Sequence, residues 1–160
     1  MRSIFIFLIC TLAVCAVQMS CKKTQETTTP PPQQQQPPIS FDSLLHCYSQ
    51  VSWDSASIHN ALIGTWNWEF IKCYWNPEDA NGDDYKNLSI VFRQNDSLEV
   101  RVNNQITQTA SRKISRLSDG YFKMTTVPLV VYLPGKILLC SSRVMFYDSY
   151  TDGCDNYFKK

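Results

Sequence analysis

The chain has 160 residues, 44% of them hydrophobic and 18% charged, and carries a formal net charge of +1 at pH 7. A balance so close to neutral offers no basic face for a phosphate backbone, so no nucleic-acid partner is expected. The length suits one modest domain with a small core rather than several.

Met1-Arg2-Ser3 is a short basic start, followed by an apolar run from Ile4 to Val17. A comfortable membrane span needs about 20 apolar residues, so this run is short for one. A basic start, an apolar centre and a small residue near a cleavage point describe a secretory signal peptide over residues 1–20. The following Gln18-Met19-Ser20-Cys21-Lys22-Lys23 resembles the lipobox of bacterial lipoproteins. That resemblance implies that Cys21 becomes the acylated first residue, carrying chains such as palmitate. The rival Leu12-Ala13-Val14-Cys15 sets Val, a poor residue at that place, before its cysteine. Acyl carbons contribute ~0.8 kcal/mol each when buried, which holds a protein to a membrane surface rather than through it.

Residues 21–40 continue as a Pro/Gln-rich linker, with Pro30-Pro31-Pro32, Gln33 to Gln36 and Pro37-Pro38. It has little to bury and favours extended polyproline II, so it reads as a semi-rigid stalk.

The remaining segment, 41–160, holds seven Lys and five Arg against ten Asp and three Glu, one unit negative. Its apolar residues come in short bursts separated by Asn, Asp, Gly, Ser and Pro, the punctuation of an all-β domain. Two short helices are expected first. Ser40 can cap a turn carrying Phe41, Leu44 and Leu45. Asp54 or Ser55 can cap a second, with Ile58, Ala61 and Leu62 on one face and Gly64 after its end.

The strongest strand signal is Thr65 to Trp75, where Trp66, Trp68 and Phe70 alternate and the phase shifts near Ile71, as at a bulge. After a polar loop come Leu88–Arg93 and Leu98–Val102, with Asn95-Asp96 turning one into the other. Asn103-Asn104 turns into a polar, weaker strand over 105–115; both Asn pairs tolerate left-handed backbone. Tyr121–Thr126 follows, then an irregular link between Pro128 and Pro134, then Lys136–Cys140, Val144–Asp148 and Asp155–Lys159. Consecutive antiparallel strands with hairpin connections close most simply into an eight-stranded up-and-down barrel, which removes exposed edges.

Gly64-Thr65-Trp66 after a short helix resembles the Gly-X-Trp signature of lipocalins. The ending from Phe146 to Lys159 resembles the terminal hairpin of lipocalin-like lipoproteins of the Bacteroidetes type. The resemblance implies a barrel whose floor is closed by Gly64 and Trp66, with an arginine packed under the tryptophan; Arg143 is the candidate. It also implies an upper interior or mouth that takes a small apolar or amphipathic molecule.

Cys47, Cys73, Cys140 and Cys154 fall in the domain, an even number that favours disulfides in an exported chain. In an up-and-down barrel odd strands end at the mouth and even strands at the floor. Cys73 ends the first strand at the mouth, where Cys154 precedes the neighbouring last strand. Cys140 ends the sixth strand at the floor, where the N-terminal segment with Cys47 arrives. The expected pairs are Cys73–Cys154 and Cys47–Cys140.

Little else in the chain speaks of chemistry. His46 and His59 precede the barrel and belong to no nucleophile or zinc motif, and Glu69 and Glu99 stand apart on strands. No catalysis and no cofactor are expected. Glu78, Asp79, Asp83 and Asp84 in the first loop, and Asp152 and Asp155 in the last, share the mouth with Trp75 and Tyr150. Carboxylates beside aromatics suit a cation, but Asp, Asn and Gly are also what ordinary turns use. Trp75, Tyr150, Asp79, Asp83 and Asp152 are therefore the candidate ligand residues, with no metal assigned. The expected protein is a lipid-anchored barrel of the cell envelope, on the outer membrane, in contact with membrane lipid. It takes a small ligand or, with a filled barrel, serves as an accessory module for an envelope protein partner.

Overall fold

The computed structural model describes residues 39–75 and 85–160. The leader, Cys21, the linker before residue 39 and the acidic loop with Asp79 and Asp83 lie outside the described residues.

Two helices precede the sheet, α1 (Phe41–Ser49) and α2 (Ser55–Leu62). Their N-caps are Ser40, whose hydroxyl accepts from the Ser43 N–H, and Asp54, whose carboxylate accepts from the Ser57 N–H. Both caps satisfy an N–H that the first helical turn leaves without a partner. The strands are β1 (Gly64–Cys73), β2 (Leu88–Phe92), β3 (Ser97–Val102), β4 (Gln105–Arg116), β5 (Phe122–Val127), β6 (Lys136–Cys140), β7 (Arg143–Tyr147) and β8 (Cys154–Lys159). They form a closed antiparallel barrel in sequence order, with β1 also paired to β8. The expected eight-stranded up-and-down barrel is what the chain forms.

Closure is uneven. The lower half of β1 pairs with β2 from Gly64↔Phe92 to Asn67↔Ser89, and its upper half pairs with β8 from Asn67↔Lys159 to Cys73↔Cys154. The register slips between Trp68 and Phe70, slightly before the expected phase change at Ile71. One extra residue there bends and coils the strand, so that a single strand serves two neighbours at different heights. The strand also stops at Cys73 rather than Trp75, where the disulfide ties it to β8. β4, expected to be weak, is the longest strand at 12 residues. It pairs along β3 from Ser97 to Val102 and along β5 from Phe122 to Val127, so tertiary partners override its polar composition.

The seam between β5 and β6 holds only the pair Lys123↔Lys136. α1 contacts the elements on both sides of it. Tyr48 stacks on Tyr121 at 5.9 Å, just before β5, while Phe41 packs on Tyr147 of β7 at 5.1 Å. Cys47 is bonded to Cys140 of β6 with their Cα atoms 5.7 Å apart. A helix held by a covalent bond thus stands where ladder hydrogen bonds are missing. The second disulfide, Cys73–Cys154, joins the ends of β1 and β8 across 4.3 Å between Cα atoms. Both pairs are those expected from barrel parity. The link 128–135 is no strand. It folds back inward, burying Val130 and Leu133, with the Val130 N–H donating to Thr126 Oγ1.

At the floor Trp66 is wholly buried, and its Nε1–H donates to the Leu62 carbonyl over 2.6 Å. Gly64 turns the chain from α2 into β1 at φ +119°, a conformation that L side chains rarely adopt. The cation over the Trp66 ring is Lys160, with Nζ 4.9 Å from the centroid, and that ammonium also donates to the Ala61 carbonyl. The expectation for Arg143 is thereby corrected. Its guanidinium faces Glu69 of β1, with Nη2 donating over 3.3 Å, because β8 lies between β7 and β1 and brings the two outer side chains together. Lys160, at the end of β8, is the residue that reaches beneath the floor.

Two outcomes follow from this framework. Trp66→Ala should cost about 3–5 kcal/mol of stability by urea unfolding, since it removes a buried indole and leaves the Leu62 carbonyl without its donor. Replacing both Cys47 and Cys140 by Ser should cost about 2–4 kcal/mol. In hydrogen exchange the amides of β5 and β6 should then lose protection ahead of those of β2 and β3, because only that seam leans on α1.

Candidate functional site

Above Asn67↔Ser89, β1 leaves β2 and continues along β8 alone. β2 begins there, at Leu88, and beside this end of the ladder lies a cleft of about 570 Å³. β1 contributes Asn67 and Trp68 to its lining, and β2 contributes Leu88 and Ser89. Asn87, just before β2, and the β3–β4 turn residues Asn103 and Asn104 complete it. Up-and-down parity brings the start of β2 and the β3–β4 turn to the same end of the barrel.

Local backbone demands explain part of this lining. Asn87, Asn103 and Asn104 have φ values of 66°, 53° and 64°, in the left-handed region that Asn tolerates better than most residues. The Asn103 N–H donates to the Asn87 carbonyl, and Asn87 Nδ2 donates to Asn103 Oδ1 at 2.9 Å, so the two loops brace each other. Trp68 rests on Tyr85 at 5.2 Å, and Tyr85 meets Tyr132 of the inward-folded link edge-on at 5.6 Å. Burial, with Tyr85 nearby, pushes the Tyr132 phenol above its ordinary pKa, so it stays neutral. The Trp68 Nε1–H is buried and has no hydrogen-bond partner among the described residues.

The mouth residues singled out from sequence are distributed otherwise. Trp75 is exposed beyond the end of β1. Tyr150 lies in a 3₁₀ turn (Ser149–Thr151), packs on Tyr147 at 5.5 Å and stands over Lys136 Nζ at 4.4 Å. Asp152 is an exposed left-handed cap of that turn, at φ 63°. Of the expected grouping of Trp75, Tyr150, Asp79, Asp83 and Asp152, Tyr150 belongs to a cluster around Lys136, and Asp79 and Asp83 lie outside the described residues. That ammonium pairs with Asp119 at 2.8 Å and lies 4.8 Å from the Tyr121 ring, so the cation in this aromatic box is the chain's own.

Asp155 is buried and already engaged. Its Oδ1 accepts the N–H groups of Asp148 and Ser149, and its Oδ2 accepts the Ser149 hydroxyl. Burial pushes its carboxyl above the usual range against the pull of those bonds. Its work is to hold the last loop in shape. No trio of His, Cys, Asp or Glu is placed to hold a metal ion among the described residues.

Several other titratable groups are paired with one another. Glu69 takes Arg143 and Lys159, and Glu99 lies between Arg93 and Arg101, whose hydrogen bonds hold its carboxyl below the ordinary range. His59 Nδ1 sits 3.1 Å from Asp96 Oδ1 and 3.3 Å from Arg112 Nη2. Arg112 is buried on β4 with its guanidinium 5.1 Å over the Phe92 ring and donating to the Arg93 carbonyl. Burial lowers its pKa, but it closes the floor beside α2 rather than facing the cleft.

Sequence reasoning took Asn103-Asn104 for a turn and passed over Asn67 and Asn87. The available signal was Asn67 itself, a residue type depleted in strands, set between Trp66 and Trp68. Compared with known proteins, the chain matches no family model, no curated protein and no solved structure.

Proposed function

We propose that this protein is a non-catalytic binding barrel, resembling the lipocalin-like lipoproteins, that holds a small amphipathic molecule at the cleft between β1 and β2. The observation that carries the reading is the cleft itself, with indole, leucine, amide and hydroxyl groups on one doubly disulfide-bonded frame. A volume of about 570 Å³ falls within the roughly 300–1,000 Å³ of small-molecule sites. The lower interior is less suited to a ligand, because Trp66, Ile90, Phe92, Leu98, Phe146 and Phe158 are almost wholly buried against one another. In this reading the leader delivers the chain to the cell envelope. Acylated Cys21 anchors it to the outer membrane, and the Pro/Gln linker holds the barrel off the lipid.

A second reading is favoured by one observation. Val127, Leu129 and Val131 are all exposed on or beside the β5–β6 link, in a barrel whose lower interior is filled. Such a ridge suits an envelope protein partner, with the barrel as an accessory module.

Native mass spectrometry of protein released from its source membrane tests the choice. The binding reading expects a co-purifying small molecule, lost when Asn103→Arg fills the cleft. A bare protein mass that instead co-elutes with a protein partner, displaced by Leu129→Glu, would move the assignment to the second reading. Anchoring is tested separately by labelling cells with palmitate: incorporation should occur in the natural chain and vanish in Cys21→Ser, and label retained in that variant overturns the anchor.

A further inference from the structure

We propose that the ligand of the β1–β2 cleft is a neutral carbohydrate, an inference that rests on the cleft being the binding site. Its described lining contains four asparagines and a serine, together with Trp68 and Leu88, with no charged residue among the described ones.

Each element of that set excludes something. Against the described lining an anionic or cationic ligand would lose hydration without meeting an opposite charge. A fatty chain would cover the amides with hydrocarbon and strip them of water without replacing its hydrogen bonds. A sugar satisfies both halves of the lining. Each hydroxyl both donates and accepts, as each carboxamide does, and the C–H face of a pyranose is an apolar surface that packs against an aromatic ring.

The arrangement of the amides adds to their identity. The bond from Asn87 Nδ2 to Asn103 Oδ1 uses one atom of each side chain. An acceptor on Asn87 and a donor on Asn103 are left out of that bond, a complement to the paired donor and acceptor of sugar hydroxyls. Turn geometry accounts for asparagine at 87, 103 and 104. It does not account for Asn67, which sits in the middle of β1 in extended backbone, exposed, next to the one indole of the lining. A strand position at the rim would ordinarily carry a β-branched or charged residue. An amide there, lining the same cleft as three others, has a reason if hydroxyls are to be held in it.

The test is an array of immobilised neutral and acidic oligosaccharides probed with the purified protein, followed by titration of the best binder monitored by tryptophan fluorescence. The expected result is binding to neutral members, weakened roughly tenfold by Asn67→Ala and by Asn103→Gly, a loss on the scale of one or two hydrogen bonds. Asn103→Gly keeps the left-handed backbone available but loses the brace to Asn87, so the control is Asn67→Ala, whose thermal unfolding should match the parent and separates lost contacts from lost fold. Unchanged affinity in both variants overturns the proposal. If no neutral oligosaccharide binds, while palmitate or the co-purified molecule does and is excluded by Asn103→Arg, the carbohydrate class fails and the cleft stands as a binding site. If nothing binds and nothing co-purifies, both readings fall.

Discussion

The indole of Trp66 joins the barrel floor, the end of α2 and the end of β8. Its ring is wholly buried in the barrel floor, its N–H reaches the Leu62 carbonyl at the end of α2, and Lys160 from the end of β8 lies across its face. The last carbonyls of a helix lack intrahelical donors and carry the negative end of its dipole. Here Trp66 and Lys160 supply an N–H to Leu62 and a positive charge to Ala61. The same contact therefore caps a helix, seals the floor and brings the first and last strands into register. Gly64, at φ +119°, makes the turn from helix to strand that allows it.

From that fixed floor the unevenness above follows. β1 cannot pair fully with both neighbours, because the strands of a closed barrel are staggered as well as tilted. It gives its lower half to β2 and its upper half to β8, and the slip between Trp68 and Phe70 marks the exchange. The cleft is the space that this exchange leaves beside β2. A comparable shortage at β5–β6 has the opposite outcome, since α1 and the Cys47–Cys140 bond occupy that side. One gap in the wall is structural and filled; the other is open and lined with neutral polar groups.

This division bears on how such a barrel works as a binding module. Its aromatic residues are mostly spent on packing: Trp66, Phe92, Phe146 and Phe158 in the core, Tyr48 and Tyr121 against α1, Tyr147 and Tyr150 around Lys136. Trp68 alone of the inward tryptophans borders open space, where it meets amides rather than carboxylates. Two of the described acidic side chains are similarly committed, Asp155 to the last loop and Asp119 to Lys136. The described residues that line the cleft are uncharged.

The sequence by itself determined the strand order, the helix caps, the Trp66 floor and both disulfides. These rest on periodicity, on capping residues whose side chains act within a few positions, and on the parity of an up-and-down chain. It determined less about β4, whose polar residues become the longest strand because β3 and β5 pair along it. It also misjudged which cation lies against Trp66, since Arg143 and Lys160 stand at the same end of the β7–β8 ladder and only the placement of β8 separates them. The cleft was decided by tertiary structure alone. Asn67, Asn87 and Asn103 are distant in sequence and ordinary in type, and only the pairing of β1, β2 and β3 brings them to one cleft.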